Sequence, residues 1–388
     1  MSLGLSGYDL TDEQRELAGL VRAFADEVVA PVAYEADRTK TLPMDVVAQM
    51  GEMGLFGLPF PEEVGGQGGD YTAIGLAIEG LARVDQSIAI TLEAGVSLGV
   101  MPIHRFGSDA QKAEYLPDLL AGRALAGFGL TEPEAGSDAG ATRTTARLDG
   151  GEWVIDGSKQ FITNSGTPIT RFVTVTAVTG ERADGGREVS TIIVPNGTPG
   201  FTVEPAYDKV GWHASDTHPL TFSGVRVPEA NLLGERGRGF ANFLHMLDEG
   251  RIAIAALATG AAEGCLDAAI DYADSRVVFG EKLGTRQSIQ FMLARMQQRV
   301  HVARLGWLHA ARLRDAGKPF KAEAAIAKLT ASDAAMDNAR DATQIFGGNG
   351  FMNEYPVARH YRDSKILEIG EGTTEVQLLV IARALGVA

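Results

Sequence analysis

The sequence predicts a mainly α-helical protein with a central β domain, an α+β fold in three consecutive parts. Apolar residues repeat at helical period over residues 1–125. Short runs rich in Val, Ile, Thr, Phe and Trp, separated by Gly, Asp, Asn and Pro, fill residues 126–235. Helical period then returns over residues 236–388. We therefore expect an N-terminal helical domain, an antiparallel β barrel or sandwich, and a C-terminal four-helix bundle.

The first expected helix is marked at both ends. Thr11 and Gln14 have the spacing of a capping box, and apolar residues follow at helical period as far as Val28. Pro31 comes next, which predicts that this helix ends before it. Further helices are expected at about 44–53, 71–84, 86–103 and 109–121, with a glycine-rich loop at 65–69.

The middle part contains six expected strands, separated by turn signals such as Asp156-Gly157 and Asn196-Gly197. They lie at 151–155, 159–163, 171–178, 190–194, 201–205 and 220–227. In the last part, long helices are expected at 239–278, 285–316 and 321–346, with a shorter one at 353–364. The short loops between them favour antiparallel packing. Thr374 and Gln377 have the spacing of a second capping box, ahead of the apolar run 378–381.

Composition narrows the classes of function. A formal net charge of -15 argues against a nucleic-acid-binding protein, which would need a basic face. The single cysteine, Cys265, excludes an intrachain disulfide and a Cys-based zinc site, and its apolar neighbours favour a buried thiol. No apolar run approaches the length of a membrane span, about 20 residues, and no leader pattern opens the chain, so we expect a cytoplasmic location. The seven histidines lack metal-ligand spacing, so we expect no metal site.

Glu371 is the candidate general base. It lies between Gly370 and Gly372, just ahead of an expected helix N-terminus. The positive end of that helix would favour the ionised carboxylate, while closure by an apolar ligand would make it more basic. A general base needs both properties. Taken alone, the stretch is more typical of a surface glutamate in a glycine-rich turn.

A second candidate region joins the first helices to the strands. Residues 128–138 offer consecutive backbone N–H groups, glycines, and the hydroxyls of Thr131 and Ser137, which suit the oxygens of a phosphate-bearing ligand. A polar loop between domains fits these features equally well. In the run 159–165, Phe161 stands next to hydrogen-bond donors and could cover a flat ring system, although such a run is more often a core strand.

Five motifs in order carry a resemblance to a known family. They are 130–133 with 135–138, 161–164, Arg276 with Phe279-Gly280, 344–350, and 371–373. Over essentially its whole length, the sequence resembles the acyl-CoA dehydrogenase family, in its short-chain or isovaleryl-like branch. The resemblance implies N-terminal helices, a middle β domain and a C-terminal bundle. It also implies FAD, held without a GxGxxG fingerprint.

The resemblance also assigns site residues. Within one subunit, the residues implied to bind FAD are Phe128, Leu130, Thr131, Gly136, Ser137, Phe161, Ile162, Thr163, Thr373 and Glu375. Those implied to reach the neighbouring subunit's FAD are Arg276, Phe279, Gln287, Gln344, Ile345, Gly347 and Gly348. This requires at least a dimer, and the family is commonly a homotetramer, a dimer of dimers. The residues implied to bind substrate are Ser137, Asp248, Arg251, Gly370 and Gly372. Asp248 and Arg251 are also spaced for a helical ion pair.

The reaction implied is oxidation of a saturated acyl-CoA thioester to its trans-2-enoyl-CoA, with an electron-transfer flavoprotein as expected acceptor. Glu371 would take the α-proton while the β-hydrogen leaves as hydride to the flavin. The carbonyl would be polarised by the backbone N–H of Glu371 and a ribityl hydroxyl. Some relatives carry the base just before the arginine. That residue is Gly250 here, and Glu249 is about 100° away around the helix, so Glu371 is the better candidate.

The sequence departs from the family in two places. Gly370 stands where most straight-chain members have tyrosine, as in the isovaleryl-type branch, which predicts room for short branched or broader acyl chains. Phe161 stands where the family usually has tryptophan.

Two other interpretations of the function stay open. One is a flavin oxidase or monooxygenase on the same scaffold, and the other is a non-catalytic acyl-CoA-binding protein.

Overall fold

The computed structural model describes residues 3–387, except for the side chain of residue 245. Its first part is helical, as predicted. The helices are α1 (Asp12–Phe24), α2 (Ala30–Thr39), α3 (Met44–Glu52), α4 (Tyr71–Ala82), α5 (Gln86–Glu93), α6 (Met101–Phe106) and α7 (Asp109–Leu120). Thr11 and Gln14 form the predicted capping box, because each side chain accepts a hydrogen bond from the other's backbone N–H.

Two wide turns of π type move the ends of the expected helices. Ala25–Val29 joins α1 to α2, so the prediction that the helix ends before Pro31 is wrong. Pro31 falls in the first turn of α2, where its missing N–H breaks no bond within that helix. Ala94–Val100 similarly joins α5 to α6, and the helix predicted at 86–103 continues to Phe106.

The middle part is one sheet, and short 3-10 turns at Ala139–Ala141 and Glu229–Asn231 connect some of its strands. Its strands are β1 (Leu125–Gly129), β2 (Thr145–Asp149), β3 (Glu152–Thr163), β4 (Thr170–Glu181), β5 (Arg187–Pro195), β6 (Phe201–Val203), β7 (Thr217–Pro228) and β8 (Leu232–Leu233). They lie in the order β6-β7-β3-β2-β4-β5-β8, and β1 pairs with β4. Strands β1, β2 and β8 lie outside the predicted set.

Two predictions about this sheet are wrong. It is not purely antiparallel, because β1 runs parallel to β4 and β2 meets β4 in parallel at Thr145 and Val178. The β2–β3 hairpin separates β1 from β4 in the chain, and such a crossover permits parallel pairing. Asp156-Gly157 is not a turn either. The pairing of β3 with β7 shifts register between Ile155 and Gly157, so the two expected strands form a single bulged strand.

The last part is helical again. Its helices are α8 (Gly239–Ser275), α9 (Gln287–Asp315), α10 (Lys321–Phe346), α11 (Pro356–Ser364) and α12 (Thr374–Ala384). A small hairpin, β9 (Val277–Val278) with β10 (Glu281–Lys282), separates α8 from α9. The expected capping box at Thr374 is wrong, because Thr373 caps α12 by accepting from the N–H of Val376. The division at residues 125 and 235 stays a proposal.

Two apolar cores hold these parts. The larger core joins the N-terminal helices to α8, α9 and α10, and the smaller one lies within the sheet around Trp153 and Phe222. Cys265 is fully buried in the larger core, where burial raises the pKa of its thiol. This confirms the expected buried cysteine.

Two helical stretches contradict the expectation that no run approaches a membrane span. Gln86–Phe106 and Gly239–Ser275 are long and apolar enough by length and composition. However, 89% and 83% of their most apolar windows are buried inside the protein. Such burial is typical of core helices, so the two stretches are weak indications of a membrane span.

Candidate active site

The Glu371 loop has an unusual backbone that two side chains hold. Glu371 has φ +54° and Gly372 has φ +92°, so the left-handed conformation includes a non-glycine residue. Lys328 of α10 donates to the carbonyl oxygen of Gly372 at 2.9 Å. Gln377 of α12 donates to the carbonyl oxygens of Gly372 and Glu371, at 2.8 and 3.2 Å. These bonds fix the loop that carries the candidate base.

The Glu371 carboxyl group is buried and poorly bonded. Its Oε2 atom has no hydrogen-bond partner among residues 3–387. It lies against α8, because a Cβ built on Gly250 would be 2.8 Å from it. Burial raises the pKa of Glu371, although the charges of Arg251 and Lys328 act to lower it. A carboxylate that is more basic than usual and lacks a bonded partner suits proton abstraction.

A second buried carboxyl group, Glu93 of α5, faces the same place. Neither of its oxygens has a hydrogen-bond partner within the described residues, and Oε1 is 3.9 Å from the Cβ position at Gly250. Burial and the charge of Glu371 raise the pKa of Glu93 well above 4.5. We did not identify Glu93 from the sequence. A lone glutamate in the apolar run Leu92 to Val96 was the available signal.

Glu249 of α8, the alternative carboxylate considered for the base, is held in ion pairs. Its Oε1 accepts from Arg105 at 2.5 Å and from Arg314 at 2.9 Å. Both contacts engage Oε1, so this oxygen is not free to take a proton from a substrate. The structure therefore supports Glu371 over Glu249 as the base.

The structure forms the ion pair that the spacing of Asp248 and Arg251 predicts. Arg251 Nη1 donates to Asp248 Oδ1, and the Arg251 side chain is only 6% exposed. Its Nε atom has no partner in the described part of the chain. A role of Asp248 and Arg251 in binding substrate stays a proposal.

A buried ion pair fixes the loop after β1. Lys159 of β3 is fully buried and donates to Glu132 at 2.6 Å and to the carbonyl oxygen of Leu130 at 3.1 Å. Burial lowers the pKa of Lys159 to about 8, against the attraction of Glu132. Gln160 adds a backbone bond to the carbonyl oxygen of Thr131 at 2.9 Å. The two regions predicted to bind the cofactor, 128–137 and 161–163, are thus joined. The sequence did not indicate the Lys159–Glu132 pair.

The loop itself is open to a ligand. A Cβ at Gly136 would have no atom within 4 Å, and the side chain of Ser137 is exposed. The backbone N–H groups of Gly136 and Ser137 donate to no acceptor within residues 3–387. Two neighbouring free N–H groups suit an anionic oxygen. By contrast, the ring of Phe128 stacks on Phe243 at 3.7 Å, so any contact of Phe128 with a cofactor would come from its backbone.

The region 161–163 presents one side chain outward. Phe161 has φ +63°, its side chain is 59% exposed, and its ring lies 5.2 Å from that of Tyr207. Ile162 is buried in the sheet, and Thr163 pairs with Thr217 of β7. An exposed aromatic ring beside a loop with free donors suits a flat ring that carries phosphates.

The remaining predicted residues form a separate group at the ends of α8, α9 and α10. Arg276 ends α8, Phe279 is at the tip of the β9–β10 hairpin, and Gln287 begins α9; all three are exposed. Tyr272 stacks on Phe346 at 4.1 Å and brings the end of α10 to them. Gln344, Gly347 and Gly348 are exposed there, whereas the side chain of Ile345 is buried. At α12, Thr373 is the N-cap and Glu375 is exposed.

Strained backbone marks three of the predicted site residues. Among residues 3–387, the non-glycine residues with positive φ are Lys40, Phe161, Asn164, Trp212, Phe279 and Glu371. Such conformations are unfavourable by about 1–3 kcal/mol and tend to occur at functional sites. Phe161, Phe279 and Glu371 belong to the three separate groups of predicted residues.

Comparison with known sequences agrees with this arrangement. The profiles of the acyl-CoA dehydrogenase N-terminal, middle and C-terminal domains match residues 11–123, 127–225 and 237–386. The chain belongs to the acyl-CoA dehydrogenase family. The succession of helices, mixed sheet and helices is the fold of this family, as the resemblance implied.

Individual relatives are similar over nearly their whole length. A probable acyl-CoA dehydrogenase of Bacillus subtilis is 48% identical over 378 residues, which are 97% of this chain and 99% of that protein. The solved structure of butyryl-CoA dehydrogenase from Megasphaera elsdenii is 43% identical, with a TM-score of 0.93 over 97% of this chain and 99% of its own. A glutaryl-CoA dehydrogenase from Mycobacterium smegmatis in complex with FADH2 is 33% identical, with a TM-score of 0.92 over 97% and 95%.

These findings confirm FAD as the cofactor, since members of the family are FAD enzymes. The residues of this chain fit it. The free N–H groups of Gly136 and Ser137 suit its phosphates, and the exposed ring of Phe161 suits its flat ring system. The relatives are dehydrogenases, so the oxidase, monooxygenase and non-catalytic interpretations are not favoured.

Proposed function

We propose that this chain oxidises an acyl-CoA thioester to the trans-2-enoyl-CoA, with Glu371 as the base that removes the α-proton. The observation that carries the proposal is the Glu371 carboxyl group, which is buried, more basic than usual, and has one oxygen without a partner among residues 3–387. FAD bound there would supply the acceptor for the β-hydrogen, which would leave Cβ with its electron pair as hydride. The proton on Cα passes to Glu371, and the electrons of that C–H bond form the new double bond.

The α-proton of a thioester is only weakly acidic, so the carbonyl oxygen must be stabilised as it gains negative charge. The backbone N–H of Glu371 donates to no acceptor within residues 3–387 and is held by the bonds from Lys328 and Gln377. A fixed, free N–H on the same residue as the base supports its proposed role as the donor to that oxygen.

The first experiment replaces the base. Glu371→Gln keeps the shape of the side chain but removes its ability to take a proton. We expect flavin bleaching by an acyl-CoA under anaerobic conditions to slow by about 10³-fold or more, within the range for loss of general-base catalysis. The visible spectrum and FAD content should stay unchanged, which separates chemistry from cofactor loss. A near-normal bleaching rate would remove Glu371 from the mechanism.

The substrate is proposed to be a short acyl-CoA, with room for a branched or broader chain. The relative from Megasphaera elsdenii is a butyryl-CoA dehydrogenase. Gly370 has no positive φ, and a Cβ there would approach Ile366 only to 3.5 Å, an ordinary contact. The backbone therefore does not require glycine at 370, and the missing side chain leaves space beside the base.

Gly370→Tyr tests this substrate proposal without straining the loop. The added ring should fill the space beside Glu371 and lower kcat/KM for branched relative to straight short acyl-CoAs by about tenfold, since one or two misplaced methyl groups are worth about 1–3 kcal/mol in an apolar pocket. Bleaching rates against a panel of straight, branched and aromatic acyl-CoAs measure it. An unchanged ratio would refute the proposal.

We also propose a homotetramer, a dimer of dimers, that works in the cytoplasm and passes its electrons to an electron-transfer flavoprotein. Support for assembly comes from exposed aromatic side chains near the predicted site residues at the ends of α8, α9 and α10. Phe279 is 96% exposed and Phe351 is 89% exposed. Large exposed apolar groups commonly mark contact surfaces. Light scattering of the FAD-loaded protein gives the mass, and a mass of one chain would contradict the proposal.

A further inference from the structure

Lys328 is an unusual buried cation. It lies on the side of α10 where Ala324, Ala327 and Ala331 are also buried, and its side chain has no exposed surface. Its Nζ atom donates to the carbonyl oxygen of Gly372, and within residues 3–387 no carboxylate oxygen lies within 4.0 Å of it. Burying an ammonium group without an ion pair is unfavourable, so its presence beside the base needs a reason.

The charges around Lys328 point to Glu371. Burial lowers the pKa of Lys328 to about 8, and Glu371 is the strongest of the groups that favour its charged form. Arg251 opposes that form, while Glu368 and Asp333 support it more weakly. At neutral pH the lysine therefore carries its charge and acts on the carboxylate of Glu371, the residue just before the Gly372 to which it is bonded.

Glu371 also has three charged neighbours on three helices. Glu93 on α5 repels its ionised form, whereas Arg251 on α8 and Lys328 on α10 favour it. Arg251 is already paired with Asp248. Arg251 exerts the larger favourable charge on Glu371, whereas Lys328 adds its own charge, has no ion-pair partner within the described residues and also bonds to the loop that carries the base.

We propose that Lys328 is a positioning residue for the proposed reaction: it fixes the Glu371 loop through Gly372 and its charge keeps the buried base ionised before substrate binds. This inference rests on the proposed function of Glu371. The bond and the charge are separable, because Gln377 donates to the same carbonyl oxygen of Gly372 at 2.8 Å and carries no charge. Gln377 is therefore the matched control for Lys328.

The first test compares pH profiles of kcat/KM, measured with the FAD-loaded protein. Lys328→Met removes bond and charge, Gln377→Met removes only bonds, and Lys328→Arg keeps the charge. We expect Lys328→Met to move the acid limb to higher pH by about 1 unit, since an adjacent opposite charge lowers a carboxyl pKa by about 1–3 units. Gln377→Met should lower kcat/KM at every pH without moving the acid limb of the profile. Lys328→Arg should return the acid limb to the pH at which it lies in the natural protein.

The second test measures the protonation of the Glu371 carboxyl group directly and does not depend on turnover. The carbonyl stretch of its protonated carboxyl group is assigned in the infrared by its loss in Glu371→Gln, and its intensity is followed against pH. We expect its midpoint to rise in Lys328→Met and to stay in Gln377→Met. If Lys328→Met gives no folded protein, Lys328→Gln, which keeps a neutral donor, takes its place with the same expectation.

The outcomes separate the two proposals. An unmoved midpoint and acid limb in Lys328→Met would overturn the role of Lys328 even if the chain dehydrogenates acyl-CoA. A shifted midpoint in a protein whose flavin no acyl-CoA bleaches would support the role of Lys328 while the proposed function fails. Equal shifts in Lys328→Met and Gln377→Met would show that loop geometry, not charge, sets the pKa of Glu371, which also overturns the inference.

Discussion

Because Gly250 has no side chain, α8 can pack closely against the carboxyl group of Glu371. Gly250 stands where the resemblance to the family implies a base in some members, and here the space of its missing side chain holds the Glu371 carboxyl group instead. Glu93 lies on the other side of the same space. Burial raises the pKa of both carboxyl groups. The charge of Glu371 raises the pKa of Glu93 further, because two neighbouring carboxyl groups do not ionise together readily.

Adding one methyl group at Gly250 should therefore disturb the base directly. In Gly250→Ala the new Cβ would be 2.8 Å from Glu371 Oε2, closer than a carbon and an oxygen atom approach without displacement. We expect the maximal rate of flavin bleaching to fall by about 10²-fold, because small misplacements of catalytic groups have effects of that size. Gly306→Ala is the control: it is also in a long helix, but its nearest contact is 3.5 Å. Equal rates in both variants would contradict this geometry.

At the scale of residues, the sequence indicated the base but not the groups that act on it. Glycines on both sides of Glu371 and a following helix are local features, so they could be identified from spacing. Lys328 and Glu93 are 43 and 278 positions away from it in the chain. Each stands in an apolar helical run, and nothing in such a run shows which distant carboxylate it will face.

Among the elements, the β9–β10 hairpin is the one whose geometry least suits its sequence. Its two central residues, Phe279 and Gly280, have φ +50° and +81°, the pattern of a type I′ turn. Asn and Gly favour the first of these positions, and a phenylalanine there is strained. Its ring is 96% exposed, so the subunit gains no packing from it. A contact outside the chain would explain why phenylalanine stands there, and the proposed role at a neighbouring subunit's FAD is such a contact.

Phe279→Asn should separate hairpin stability from that contact. Asparagine tolerates positive φ, so the hairpin should form at least as well. Loss of the ring should weaken FAD binding by about tenfold, since stacking of an aromatic side chain on a base-like ring is worth about 1–3 kcal/mol. Fluorescence titration of the apoprotein with FAD measures the change. Val277→Thr is the control on the same hairpin, and equal FAD affinity in all three proteins would refute the contact.

The element boundaries show which structural features local patterns predict. The long helices of the last part were predicted within a few residues, because each has a sustained apolar period and clear breakers. Asp156-Gly157 was misread as a turn, since a long-range contact decides it. A Cβ at Gly157 would be 2.4 Å from Thr144 Oγ1, so glycine is there for close approach of two strands. The parallel pairing of β1 likewise depends on topology, which periodicity does not encode.

For the whole molecule, a buried polar cluster joins all three parts. Asp363 of α11 accepts from the backbone N–H of Trp212 at 2.6 Å, in the segment between β6 and β7. The Trp212 indole donates to Gln86 of α5 at 3.2 Å. Arg359 of α11 pairs with Asp85, just before α5, at 3.2 Å. The relative placement of the parts thus depends on groups that titrate.

Asp363 gives this cluster a defined dependence on pH. Burial, and then the charge of Asp85, raises the pKa of Asp363 from 3.8 to about 7. Between these values the folded chain binds more protons than the unfolded chain, so the free energy of unfolding falls as pH rises from about 4 to about 7. Asp363→Asn keeps an oxygen for the Trp212 N–H but cannot ionise. We expect its stability relative to the natural chain to rise with pH across this window, by at most about 1.4 kcal/mol per pH unit.

Urea unfolding at intervals from pH 5 to pH 8 measures that difference. Asp184→Asn is the control, because Asp184 is exposed and its bond from Arg182 lowers its pKa, so its titration lies below the window. The difference for Asp184→Asn should stay constant, while that for Asp363→Asn should rise up to about pH 7 and then level off. A flat or falling difference for Asp363→Asn would mean that the carboxyl group is ionised in the folded protein. Arg359 would then hold it as a charged member of the cluster against the repulsion of Asp85, and the junction would be insensitive to pH near neutrality.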